Sequence, residues 1–127
     1  MVEEDALSYK IVGAAIEVHK TLGGPGLLES VYEEALVWEL QNNGLAVRRQ
    51  VAVPICYKGQ QLATPLRVDV LVENLVIVEN KATTSYNPIY EAQTLTYLRL
   101  MNLRLGLVIN FGERYVKNGI HRVPNLY

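Results

Sequence analysis

The sequence predicts a single α/β (α+β-like) domain with the order α, α, β, β, β, α, β and a small tail. Three observations predict it. The first forty or so residues carry apolar side chains at helical spacing. From about residue 45 the period shortens to that of strands, with dense Val, Ile and Leu. A helix signal at Asn87-Pro88 then leads into one more apolar run, Leu105 to Phe111. At 127 residues the chain has room for one domain, residues 1–127, with a real core. Half of the residues are hydrophobic and a fifth are charged, an ordinary globular balance.

In residues 5–21, Leu7, Ile11, Ala14, Ala15 and Val18 mark an amphipathic helix that Gly23-Gly24-Pro25-Gly26 ends. A second helix is expected from about Leu27 to Asn43, with Asn43-Gly44 as its stop. Residues 45–57 read as a strand with Val47, Val51, Val53 and Ile55 on one face, closed by a turn at Lys58-Gly59-Gln60. Strands at about 66–72 and 75–81 complete a meander. The Asn87-Pro88 signal starts a helix that runs to about Met101. Residues 105–111 form a buried strand, and a short hairpin or edge strand follows near Ile120–Val123.

The two middle strands carry Arg67-Val68-Asp69 and Val76-Ile77-Val78-Glu79-Asn80-Lys81. A charge inside a buried strand costs several kcal/mol unless it is paired or coordinates a metal. Asp69, Glu79 and Lys81 therefore mark a candidate site. Glu79 and Lys81 share one face by alternation. An odd-numbered hairpin loop, such as Val72-Glu73-Asn74, or a bulge brings Asp69 to that face. A two-residue loop sends it to the other. The expectation is the odd loop, or a bulge that restores the face.

Several other residues have a functional and a bland reading. Glu29 favours the dipole at the start of the second helix, which alone explains an acid there. It also shares a stripe with Tyr32, Glu33 and Leu36, and so could face the acid pair. Gln93 and Tyr97 lie four apart on the later helix, and a buried Gln–Tyr pair is commonly structural. Glu91 falls on another stripe and reads as solvated. His19 suits a helix C-terminus, and no ligand spacing surrounds it. His121 lies in a basic tail facing solvent or phosphate. Cys56 is the only cysteine, so no internal disulfide forms, and it reads as a small buried hydrophobe. No phosphate-cradling Gly-rich loop and no serine-nucleophile elbow occurs.

Charge is unevenly spread. Residues 1–45 hold eight acids and two bases, whereas residues 46–127 hold five acids and ten bases. Basic surroundings for a metal site suit a polyanion such as nucleic acid. No apolar run approaches the roughly 20 residues of a membrane helix. Glu3-Glu4-Asp5 does not open like a secretory signal, so a cytoplasmic location is expected.

Two signatures together resemble known families. Gly26-x-x-Glu29-x-x-Tyr32 is similar to the motif of the GxxExxY proteins. Asp69 followed by Glu79-x-Lys81 resembles the core of the PD-(D/E)xK nuclease superfamily, to which those proteins are assigned. The similarity takes in nearly the whole chain. It includes Ala14-Ala15-Ile16-Glu17-Val18-His19, Glu91-Ala92-Gln93, Leu95-Thr96-Tyr97-Leu98 and Leu105 to Phe111. Val68 stands where the superfamily is named for proline, and Asn80 stands where an apolar residue is usual.

The resemblance implies a restriction-endonuclease-like αβββαβ core, a mixed central sheet flanked by helices, with an extra N-terminal helix. It implies that Glu29 joins Asp69 and Glu79 as ligands of Mg²⁺ or Mn²⁺. Gln93 and Tyr97 match a Gln-x-x-x-Tyr motif of related nucleases, which makes Gln93 a catalytic candidate. Lys81 would orient a water or stabilise developing negative charge. Arg67, Arg99 and Tyr97 are the expected nucleic-acid contacts. The implied activity is metal-dependent phosphodiester hydrolysis, with DNA as the expected substrate and a homodimer as one expected assembly. The alternative is a non-catalytic module that binds nucleic acid or protein through the same fold. A third reading treats Glu79 and Lys81 as a structural ion pair.

Overall fold

The computed structural model describes residues 2–126. Two helices open the chain, α1 (Val2–Thr21) and α2 (Glu29–Asn42). Strand β1 (Val47–Ala52) follows, then a small separate hairpin of β2 (Cys56–Tyr57) and β3 (Gln60–Gln61). Strands β4 (Arg67–Val72) and β5 (Val76–Lys81) come next, then α3 (Ile89–Met101), β6 (Leu105–Asn110) and β7 (Ile120–Pro124). The main sheet has the order β1-β4-β5-β6-β7. Only the β5–β6 pair is parallel, because α3 carries the chain back across the sheet between them.

The sheet lies between two helical layers. On one face, Ile11, Ala15, Tyr32, Leu36 and Leu40 of α1 and α2 pack on Val70, Val78, Leu107 and Ile109. On the other, Leu98 of α3 packs on Leu71, Ile77 and Val108. Both faces of β6 are covered, so all six of its residues are buried and its sequence is apolar almost throughout. The start of α3 follows the expected signal, with the Ile89 N–H donating to Asn87 Oδ1 at 3.0 Å.

The β4–β5 hairpin bears directly on the site. Its register pairs Val72 with Val76 and Val70 with Val78, which leaves a loop of Glu73, Asn74 and Leu75. The loop is odd, as expected, but shifted one residue from Val72-Glu73-Asn74. Glu73 and Asn74 both take the left-handed conformation, at φ 53° and 54°. Glu73 is held there from outside, since its Oε2 accepts the Ala46 N–H and its own N–H donates to the Ala46 carbonyl.

Other expectations need correction. The first strand ends at Ala52 rather than 57. Its apolar residues do not share one face: Val47 packs with the α1/α2 core, whereas Val51 and Val53 pack with the α3 core. Gln50, at φ 50°, lies between them and breaks the alternation. Cys56 is exposed, because β2–β3 projects as a two-stranded hairpin outside the main sheet. The tail is the edge strand β7 on β6, one of the two expected forms. The charge asymmetry is partly cancelled by folding, since Arg49 pairs with Glu33 and Arg122 with Asp5.

Candidate active site

The site is built where β4 and β5 part. Extending their register by one residue sets Asp69 opposite Glu79. There the side chains take over from the backbone ladder. The Asn80 N–H donates to Asp69 Oδ2 at 2.8 Å, and the Asp69 N–H lies 3.4 Å from Glu79 Oε1. Asp69 is half-buried and Glu79 is only 7 % exposed. Burial first, then the Asp69 charge, pushes the Glu79 carboxyl up to about 9. Lys81, two residues on and on the same face, partly offsets that rise. Its ammonium stands 4.6 Å from the centre of the Tyr90 ring.

Glu29 begins α2 and is exposed. Partial burial raises its carboxyl, the Lys81 charge lowers it, and Asp69 and Glu33 raise it again. Glu29 therefore shares an electrostatic field with Asp69 and Lys81. The motif Gly26-x-x-Glu29-x-x-Tyr32 acquires a mechanical sense here. Gly26 turns the chain at φ 114°. The fully buried Tyr32 donates its hydroxyl to the Gly24 carbonyl at 2.7 Å and accepts the Leu27 N–H at 3.2 Å. Tyr32 thus pins from below the loop that delivers Glu29.

From the other side, α3 presents Tyr90, Gln93 and Tyr97 on one helical stripe. The Tyr97 hydroxyl is raised by burial and then by the charges of Glu79 and Asp69, so it lies within their electrostatic reach. Gln93 lies between Tyr90 and Tyr97 on that stripe but is exposed, so the buried Gln–Tyr pair does not form. Arg67 is exposed on β4 and donates to the Gln50 carbonyl at 3.1 Å. Arg99 is not brought to the acids. It lies beside the β2–β3 hairpin, in a cleft with Pro54, Ile55 and Cys56.

Other residues depart from their sequence reading. Glu91 is not simply solvated: it accepts the Tyr86 hydroxyl at 3.1 Å, and burial and that bond raise the Tyr86 phenol. His121 is partly exposed and also stacks on Tyr86, with centroids 4.1 Å apart, and lies 3.8 Å from Glu91. His19 lies in the last turn of α1, as expected, and in addition meets the Phe111 carbonyl through Nε2 at 3.1 Å. Asn80, which stands where an apolar residue is usual, stays within β5. It is fully buried on the face away from Glu79, and neither side-chain atom is hydrogen-bonded.

Tyr90 escapes a reading of the sequence, although it shares the spacing that singles out Gln93 and Tyr97. Asn110 escapes it as well. Its side chain accepts the Thr83 N–H and donates to the Thr83 carbonyl, both at 3.0 Å, and so clamps the chain just after Lys81. Gly112 completes the clamp, since a Cβ there would stand 2.3 Å from the Thr83 carbonyl oxygen. No local pattern announces this contact.

A sequence model of the PD-(D/E)XK nuclease superfamily matches residues 5–123. The chain belongs to that superfamily. No curated protein and no solved structure matches it. The five-stranded mixed sheet flanked by helices is consistent with the restriction-endonuclease-like fold of the superfamily. Superfamily membership suggests a nuclease that works on nucleic acid, and its members generally use divalent metals. No helix among the described residues is long and apolar enough to cross a membrane.

The donor set fits such an ion in chemistry. Two hard carboxylates converge at one buried corner, and Mg²⁺ is commonly held by one or two carboxylates completed by waters and substrate phosphate. Among the described residues no group of three His, Cys, Asp or Glu side chains closes round one ion. Glu29 joins the field of the pair without completing a cage.

Proposed function

We propose that this PD-(D/E)XK domain hydrolyses phosphodiester bonds in DNA with the help of Mg²⁺ or Mn²⁺. The observation that carries the reading is Asp69 opposite Glu79, with Lys81 on the same face of β5. Asp69 and Glu79 would hold the cation, with Glu29 as the further candidate ligand. When bound, the cation polarises the phosphate and lowers the pKa of a water. Lys81 orients the attacking water and stabilises charge developing on the phosphate oxygens. The Tyr90 ring limits where the Lys81 ammonium can move. Gln93, exposed on α3, positions the phosphate or water once the strand is bound. Tyr97 and Arg67 contact the nucleic acid beside the acids, whereas Arg99 would touch it only farther out.

The test is direct. Purified protein should nick or cut plasmid, linear or branched DNA in Mg²⁺ or Mn²⁺. Asp69→Asn and Lys81→Ala should each reduce the rate to background. Cleavage that survives both changes would place the chemistry elsewhere. A second reading, a binding module without chemistry, draws on the excess of bases over acids after residue 46. Under it, DNA affinity is independent of divalent metal, and neither substitution changes it.

A further inference from the structure

A second site lies on the same rim of the sheet. Because β5 and β6 run parallel, their carboxyl ends emerge together. Lys81 ends β5, and the segment after β6 begins at Phe111. The main chain of Phe111 bridges two places: its N–H donates to the Lys81 carbonyl at 2.7 Å, and its carbonyl meets His19 Nε2 at 3.1 Å. His19 in turn lines a cleft of about 440 Å³ between the end of α1 and the turn after β6. Lys20 comes to this cleft from α1, and Arg114 and Lys117 from the turn. No acid lines it.

The three cations are exposed, and among the described residues none forms an ion pair. A cation in the last turn of α1 offsets the helix dipole, which accounts for Lys20 alone. That does not account for Arg114 and Lys117, which belong to another element. Three like charges gathered round one hollow repel one another unless an anion occupies it. The Arg114 guanidinium offers the planar fork that suits phosphate oxygens. The main chain of Gly23 and Gly24 forms part of the wall and leaves room for a close approach. The loop from these glycines to Glu29 links the cleft to the acid pair by a second route.

We infer that this cleft is a second phosphate-binding site, which seats the backbone of the same nucleic-acid strand that enters the acid pair. The inference rests on the nucleic-acid reading above. It assigns Lys20, Arg114 and Lys117 to binding and gives them no part in bond cleavage.

The test is fluorescence anisotropy with a DNA duplex of about 30 bp, three helical turns, in chelator and over a range of salt. The combined variant Lys20→Gln, Arg114→Gln, Lys117→Gln should bind about tenfold or more weakly. The slope of log affinity against log salt should fall by about 2 to 3, near 0.9 for each phosphate that is no longer neutralised. A control that neutralises exposed Arg48, Lys58 and Arg104 to Gln should change little. Thermal midpoints of both should match the wild type. Should the triple variant prove misfolded, Lys117→Glu alone is expected to weaken binding and lower the slope. An unchanged slope in a cleft variant, or an equal weakening in the control, overturns the cleft and leaves the proposed function standing. A wild-type protein with no DNA affinity at low salt overturns both.

Discussion

A glutamate only 7 % exposed and facing an aspartate ionises at greater cost in the folded chain than in the unfolded one. Glu79 titrates near 4.5 when unfolded and about 9 when folded. Between those values the folded state holds the extra proton, so stability should fall as pH rises from about 5 to 9 and level off above. Calorimetry in chelator should show this fall, and Glu79→Gln should flatten it. Asn80, its neighbour, carries a different burden. A buried amide with no partner costs about 1–3 kcal/mol. Asn80→Leu, close in shape, should therefore raise stability by about 1–2 kcal/mol in urea titrations. At this scale the sequence is legible where chemistry restricts residue type: an acid, an acid and a lysine on strands. It is silent on Asn80 and Gln93, whose surroundings depend on what packs above them.

At the scale of elements, α2 and α3 each contribute through a tyrosine. Tyr32 ties the loop of Gly23 to Leu28 to the start of α2 by two hydrogen bonds. Tyr32→Phe keeps the ring stacked on Phe111, at 4.7 Å between centroids, but gives up both bonds. It should cost about 1–2 kcal/mol and speed hydrogen exchange in that loop while leaving the sheet protected. Gly26, Glu29 and Tyr32 are visible as a spaced pattern, but nothing in the spacing says that the tyrosine supports the loop from within the core. The limits of β1 are obscured for a related reason. A run of alternating valines looks like one continuous strand, and the positive φ of Gln50 that redirects it leaves no mark in the sequence. Helix α3 is plain to read because Asn87-Pro88 is a local signal with a local cause.

At the scale of the molecule, the first part of the chain supplies acids that neutralise bases of the second. Arg49 meets Glu33, and Arg122 meets Asp5. Pairings so distant in sequence are set by topology, which is why a count of charges along the chain overstates the positive surface. What remains at that end of the sheet is the Asp69–Glu79 pair, with Glu29 in its field, beside cations that form no ion pair among the described residues. A dication that binds the folded acids and not the unfolded chain should stabilise the whole domain by mass action, about 2.7 kcal/mol at a hundred times its Kd. Differential scanning fluorimetry should show a rise in Tm with Mn²⁺ or Mg²⁺ that grows with pH, because the ion displaces the Glu79 proton. Asp69→Asn should remove most of that rise. A wild-type Tm indifferent to both ions would return the acids and Lys81 to a purely structural role.

The three-residue turn between β4 and β5 also bears on descent. Its Glu73 carboxylate is tied to the Ala46 N–H, yet it is the length of the turn that sets which way Asp69 points. Deleting or inserting one residue there would rotate the aspartate to the opposite layer and part it from Glu79, with Asp69, Glu79 and Lys81 all still in the sequence. Inherited insertions and deletions at Glu73–Leu75 should therefore come in pairs wherever the activity survives. A relative with a full motif and a turn longer or shorter by one is expected to be a dead enzyme unless a bulge restores the count.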